Sequence, residues 1–405
     1  MKRVLIFSLA YYPKFVGGAE IAIKEITDRI SPLEIEFHMV TLRFDSRLPK
    51  TEKIGNVTVH RIGFSRASPI IGDLQRFPLI LNKYWYQFAA AHAASRLHRE
   101  YHFDGMWAMM AHSCGVPAGL FKTFHPEVPY LLTLQEGDPP EDIERLARPI
   151  WLLFKRGFTR ADALQTISNF LLDWGRRMGF KGRAEVIPNA VDTKHFSQMY
   201  SGSELAAMRE KIGKKLGDVY LVTTSRLVHK NGVDDVIRAL ALLPENVHFL
   251  IYGIGPEEAM LKALAEKLAV ASRAHFAGQI GHTEMPLALK ACDIFIRPSR
   301  SEGMGNSFIE AMAAGVPVIA TQEGGIADFL FDAKRDPEKE TTGRAVDKDS
   351  PEQIAEAVRG ILAQREQVER VTAAAKKMAI ERYDWNLIAV QMKALLDRLL
   401  DAPRS

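Results

Sequence analysis

One run narrows the folds open to this chain more than any other: Arg297 to Gly325, RPSRSEGMGNSFIEAMAAGVPVIATQEGG. It follows the apolar strand Asp293-Ile294-Phe295-Ile296 and enters a turn holding Glu302, Gly303, Met304, Gly305 and Asn306. A helix is predicted from Ser307 to Ala314, closed by Gly315, and Val316 to Ala320 reads as the next buried strand. Strand, glycine-rich turn and helix in that order leave backbone N–H groups unpaired at the positive end of a helix, which suits an anion. Glu302 in the turn and Glu310 in the helix flank that anion site, with seven residues between them. Two readings follow. Ser307 and Glu310 have the spacing of a capping box. Alternatively, the amides take phosphates while Glu302 accepts hydrogen bonds from sugar hydroxyls and Glu310 from a ribose. Buried acceptors lacking such donors would be costly.

The same rhythm runs through the chain, which at 405 residues is too long for one core and suits two domains of roughly 150–200 residues. Residues 2–9 form an apolar run of the kind found in buried parallel strands. They superficially resemble a signal peptide, but the apolar part is short and a turn and helix follow. In that turn Gly17-Gly18 let the backbone approach a phosphate or sugar at a helix start, or make a plain tight turn; the spacing is not that of a nicotinamide-cofactor motif. Further strands are predicted at 37–41, 57–62, 104–109, 129–134 and 161–168. The third and fourth of these lead into Ala111-His112-Ser113 and Gln135-Glu136-Gly137-Asp138, at the sheet edge where open α/β folds bind ligands. Residues 65–100, largely helical, mix aromatics (Phe77, Tyr84, Trp85, Tyr86, Phe88), and apolar Ile70 and Ile71, with Arg76, Lys83, Arg96 and Arg99. This section reads either as a core face or as an amphipathic surface for peripheral membrane contact.

Tyr220 to Ser225 restarts the pattern. The turn after it carries Arg226 and Lys230, each able to hold one set of diphosphate oxygens, arginine as a fork and lysine as a point charge; a solvated basic turn is the alternative. Residues 247–256 give a strand and a turn with Gly255, and 275–280 a strand ending at Gln279-Ile280. The last helix, Trp385 to Leu400, is amphipathic.

The central run, following its D-I-F-I-x-P-S strand, resembles the E-x7-E signature of the retaining glycosyltransferases of GT-B architecture, family 4 (group 1). The resemblance is strong over 220–330 and looser before that. It implies an α/β fold of two Rossmann-like domains facing across a cleft, with a C-terminal helix crossing back to the first. The boundaries expected are 1–195 for an acceptor-binding domain, 196–380 for a nucleotide-sugar domain and 381–405 for the returning helix. The linker Pro188-Asn189-Ala190-Val191-Asp192 resembles the family's, with alanine for glycine. The implied activity is metal-independent transfer of a hexose from a nucleoside-diphosphate sugar to a glycan, lipid-linked or small-molecule hydroxyl, with retention and without a cofactor. Catalytic roles fall on Glu302, Arg226 and Lys230. Donor contacts fall on Gly17, Gly18, Gly255, Ile280, Gly303, Met304, Gly305, Asn306, Ser307 and Glu310. Where the family usually has a histidine near the transferred sugar this chain has Gln135, followed by Glu136; these two and His112 are the acceptor-side candidates. Asn231 stands where the family usually has lysine, with Lys230 before it. Asp347-Lys348-Asp349 spells a metal motif of a different transferase architecture, but Pro351 makes a helix cap the better reading, and no metal is expected.

Composition sets the remaining bounds. Two cysteines, Cys114 and Cys292, exclude a disulfide framework and suit a reducing cytoplasm. No apolar run reaches the roughly 18–20 residues of a membrane span. Up to Asp192 there are 25 Lys and Arg against 20 Asp and Glu, and beyond it 28 against 29, so the modest positive field lies on the first half. That suits an anionic acceptor or membrane surface at the cytoplasmic face, or merely a mixed solvated surface; nucleic acid is not expected. A sugar-nucleotide epimerase and a non-catalytic sugar-nucleotide-binding protein are the alternatives on the same scaffold.

Overall fold

The computed structural model describes residues 1–14, 16–69, 73 and 76–402. Ile70 and Ile71, counted above with the aromatic section, lie outside them. The chain forms two compact units, one of residues 1–189 together with those from Trp385 on, the other Ala190–Asp384.

The first unit holds an eight-stranded sheet. Its strands are β1 (Lys2–Phe7), β2 (Ile35–Leu42), β3 (Thr51–Ile54), β4 (Val57–Ile62), β5 (Gly105–Met109), β6 (Tyr130–Leu134), β7 (Ala163–Thr166) and β8 (Arg183–Val186), in the order β3-β4-β2-β1-β5-β6-β7-β8. Every pairing is parallel except β3 with β4. The apolar N-terminal run is the middle of the sheet, with Val4 in register with Phe37 on one side and Gly105 on the other. Strands covered on both faces can be apolar throughout, which is why this run does not alternate.

The helix Trp385–Leu400 packs in this unit through Leu395, Leu396, Leu399 and Leu400. Leu400 comes so close to Gly105 that a Cβ there would lie 2.4 Å from its methyl carbon. Lys393 pairs with Glu34 at 3.0 Å and Arg398 with Glu185 at 2.7 Å. The aromatic section divides. In the helix Leu81–Tyr101, Tyr86 is buried and donates its hydroxyl to the Ser8 and Val40 carbonyls, whereas Tyr84, Trp85 and Phe88 face solvent, as does Phe77 before it. Among the described residues no helix is long and apolar enough to cross a membrane.

The second unit holds six parallel strands, β9 (Val219–Thr224), β10 (Val247–Tyr252), β11 (Ala274–Gly278), β12 (Ile294–Arg297), β13 (Val318–Ala320) and β14 (Arg344–Ala345), in the order β11-β10-β9-β12-β13-β14. Among the parallel strands of each sheet the order reverses once, between β1 and β5 and between β9 and β12. In open α/β folds ligands bind at the carboxyl edge beside such a reversal.

Two imidazoles sit side by side on β2 and β4. His38 Nδ1 lies 3.2 Å from His60 Nε2, with the rings nearly parallel. Burial lowers both pKa values, that of His60 to about 4, and the charge of His38 lowers that of His60 further. Glu36 and Glu100 pull His38 the other way, and Arg3 adds to the lowering. The unfolded chain therefore takes up a proton near pH 6.5 that the folded one refuses until about pH 4. Stability is complete above this window and should fall through it by on the order of 2 kcal/mol. Urea unfolding across that range checks this: His60→Phe should flatten the profile, and an equal slope in wild type and variant would contradict it.

Candidate donor site at the carboxyl edge of the second sheet

β12 ends in Arg297, and the helix that follows spans Asn306–Ala314, with Gly305 as its N-cap at φ 87°. A Cβ at Gly305 would stand 2.6 Å from both the Arg297 guanidinium and the Phe308 ring, so only glycine fits. The helix thus starts one residue earlier than predicted. Ser307 is its second residue, not its cap, and Glu310 is its fifth, two places too deep for a capping box. The Ser307 hydroxyl is 2.8 Å from Arg297 Nη1 instead.

Arg297 is the centre of this turn, and the sequence reading passed over it. Its side chain is 7% exposed and pairs through Nη2 with Glu302 Oε2 at 2.7 Å. The guanidinium carbon lies 4.2 Å from the centroid of the Phe308 ring. The other Glu302 oxygen accepts the Gly303 amide at 3.1 Å. Half-buried Glu310 accepts no hydrogen bond from the described residues. Loss of solvent pushes its pKa up to about 7, against the pull of Arg297. Met304, Gly305 and Asn306 donate their amides to no described acceptor. The signal available in the sequence was an arginine ending an otherwise apolar strand.

The turn after β9 closes against this one. Gly232, at φ 65°, comes so near Pro298 that a Cβ would lie 2.2 Å from its carbonyl oxygen. Arg300 ties the two turns together. Its amide donates to the Lys230 carbonyl at 2.7 Å, and its guanidinium to the His229 carbonyl, Asp234, Asp235 and Asp349. Burial and neighbouring Asp234 raise the Asp235 pKa to about 6, with Arg300 holding it down. Asn231 is buried and bonds the Arg226 carbonyl at 2.6 Å, so it shapes the turn. The Arg226 side chain is exposed and pairs with no described carboxylate. Asp349 is held by Arg300 and Asp347 by Arg335 and Gln353, so neither stands as an open metal ligand.

The remaining donor-side residues of this unit follow neighbouring strands. Gly255 comes after β10 and is packed on Leu227, whose carbonyl oxygen a Cβ would meet at 2.2 Å; Ile280 follows β11. Ile280, Gly255, Arg226, Lys230 and the Glu302–Ser307 segment thus share one sheet edge. There too lie buried polar atoms with no partner among the described residues: the hydroxyls of Thr223, Thr224, Ser225 and Ser299, and Nε of Arg297.

In the first unit, Gly17 caps the helix Gly18–Thr27, and its amide is taken by Glu20 at 2.7 Å. A Cβ at Gly18 would touch nothing, so the unit gives no steric reason for glycine there. His112 lies in a π-helical turn, Ala111–Gly115, after β5, entered through Met110 at φ 69°. Glu136 is buried and accepts the amides of His112 at 3.3 Å and Gln135 at 2.9 Å; its Oε1 is 3.6 Å from His112 Nδ1. Gln135 turns away to a mutual pair with Asn189. His98, His125 and Glu127 come together elsewhere in this unit. However, His98 Nδ1 accepts the Phe103 amide, which puts the ring proton on the nitrogen facing Glu127, the wrong tautomer for a metal there.

Residues 16–195 match the model described as "Glycosyltransferase Family 4", and residues 206–378 that of "Glycosyl transferases group 1". The chain belongs to this family. A "GDP-mannose-dependent alpha-(1-6)-phosphatidylinositol monomannoside mannosyltransferase" of Mycobacterium tuberculosis is 30% identical over 52% of this chain and 55% of its own length. The chain therefore spans little more than half of that relative. An "Uncharacterized glycosyltransferase" of Methanocaldococcus jannaschii is 24% identical over 96% of both. The solved structure of a sucrose-phosphate synthase from Thermosynechococcus elongatus superposes with a TM-score of 0.80 at 19% identity, over 99% of this chain and 100% of that one. At that identity the likeness concerns the fold, which is GT-B.

Arg300→Met should destabilise the protein by about 3 kcal/mol, as loss of one partner from a buried charge set does. In hydrogen exchange the amides of residues 226–232 should lose protection first. Unchanged exchange there would show that the two turns hold together without it.

Proposed function

We propose that this chain transfers a hexose from a nucleoside-diphosphate sugar to a hydroxyl acceptor, with retention and without a metal. The observation that carries this is the convergence, at one sheet edge, of an exposed arginine, amides and buried hydroxyls with no partner among the described residues, and two carboxylates with seven residues between them. Such a set suits a ligand that is anionic at its centre and hydroxylated at both ends.

In this reading the donor diphosphate lies on the amides of Met304, Gly305 and Asn306, with Arg226 and Lys230 on its oxygens. They stabilise the charge that develops as the bond from the anomeric carbon to the phosphate oxygen breaks. Glu302 accepts from the sugar hydroxyls and Glu310 from the ribose. The acceptor hydroxyl bonds to the anomeric carbon from the face the phosphate leaves, and its proton passes to the departing phosphate. His112, oriented by Glu136, contacts the acceptor.

A lipid-linked acceptor is favoured over a free sugar. The mannosyltransferase relative carries phosphatidylinositol in its name. Exposed Phe77, Tyr84, Trp85 and Phe88 lie beside Arg76 and Lys83, a composition that suits an anionic membrane surface on the cytoplasmic side.

Thermal shift with UDP-, GDP- and ADP-sugars should identify the donor. With it, Glu302→Ala and Arg226→Ala should each lower kcat at least ~100-fold, the usual loss for an electrostatic group; near-normal turnover in either would refute its assignment. Trp85→Ser with Phe88→Ser should weaken co-sedimentation with phosphatidylglycerol-containing vesicles and leave donor binding intact. Equal sedimentation of variant and wild type would remove the membrane from this account.

A further inference from the structure

A site for a nucleoside diphosphate should not present bare carboxylates to it, yet two lie beside the turn that begins the helix Asn306–Ala314. Glu302 is 14% exposed in its side chain and Glu310 is half-buried. In a site withdrawn from water, each would repel a diphosphate far more strongly than in bulk solvent. One buried cation faces both. Arg297 bonds Glu302 directly at 2.7 Å and acts electrostatically on Glu310. Little of it reaches solvent, since it is held between the Phe308 ring and the Ser307 hydroxyl.

We infer that Arg297 is the counter-charge that lets this carboxylate-lined site accept an anion. On this view it is a positioning residue, acting through Glu302 and Glu310 without touching the donor. It fixes the Glu302 carboxylate toward the sugar hydroxyls and cancels charge that would otherwise oppose the diphosphate. Its partly used guanidinium is consistent with this, because Nε has no partner while Nη1 and Nη2 are spent on Ser307 and Glu302. A purely structural arginine would support the nucleoside and the diphosphate equally; a counter-charge supports only the charged part.

The inference rests on the donor-site reading above, and the two can fail separately. Binding of UDP, GDP and ADP, each against its own nucleoside, is measured by calorimetry on the full chain. Wild type that binds none of the three diphosphates sinks the donor-site reading and this inference with it. Where wild type binds one, Arg297→Met should weaken that diphosphate at least ~10-fold and leave the nucleoside within about twofold. Arg297→Lys, which keeps the charge and loses the fork, should preserve the ratio between the two ligands. Arg297→Met combined with Glu302→Gln should return much of the lost diphosphate affinity, since it removes the repelling charge as well. Parallel loss of diphosphate and nucleoside in Arg297→Met, or no recovery in the double variant, would overturn the counter-charge role.

Discussion

A parallel sheet must be re-entered from the same end for every strand, so its carboxyl edge collects one loop per strand. Where the strand order reverses, ligands of open α/β folds bind beside the two loops that meet there. In the second unit they are the turns after β9 and β12, and the backbone there is drawn tight. Gly232 lies against Pro298 and Gly255 against Leu227, at distances no side chain would allow. With main chain this close there is little room for many functional side chains. The candidate site consists of a few long ones, Arg226, Lys230, Glu302 and Glu310, on a backbone that cannot shift without collision.

Holding those side chains falls to two arginines three residues apart. Arg297 and Arg300 flank Pro298-Ser299 and serve different partners, the first the Glu302 turn and the second the turn after β9. Burying a guanidinium is expensive, and both are compensated by carboxylates in good geometry. Such pairs add little net stability over an apolar core, but they permit one arrangement of the loops and penalise others. At a site that depends on the position of carboxylates, that selectivity matters more than the stability forgone.

These arginines also mark where the sequence stops being readable. Strands such as 2–9, 220–225 and 293–296 declared themselves because burial on both faces requires unbroken apolar runs. The turn with Glu302 and Glu310 was legible because glycines and acids rarely fall so densely between a strand and a helix. By contrast, the partners of Arg300 lie 65 and 66 residues away at Asp235 and Asp234, and no local pattern announces such pairs. The edge strand β3 was missed although alternating exposure and the Gly55-Asn56 turn are both present, since a four-residue strand gives a weak period. The helix start was misplaced by one residue for a similar reason. Ser307 has the chemistry of a cap, but Gly305 has the backbone freedom for it, and Arg297 had already claimed the serine hydroxyl.

The two units show how one topology can yield opposite chemistry at corresponding places. In the first, the amides at the loop ends are met by the protein's own acids: Glu20 takes that of Gly17, and Glu136 those of His112 and Gln135. A helix start capped in that way offers an anion little. In the second, the nearest acid is tied to Arg297, and the amides of Met304, Gly305 and Asn306 meet no acceptor among the described residues. The difference is one of charge bookkeeping at loop ends, not of fold. It makes the first edge suitable for a neutral hydroxyl beside an imidazole, and the second for a ligand carrying phosphates. A transferase needs both kinds of edge, because the anion it expels and the hydroxyl it admits must be recognised by different electrostatics.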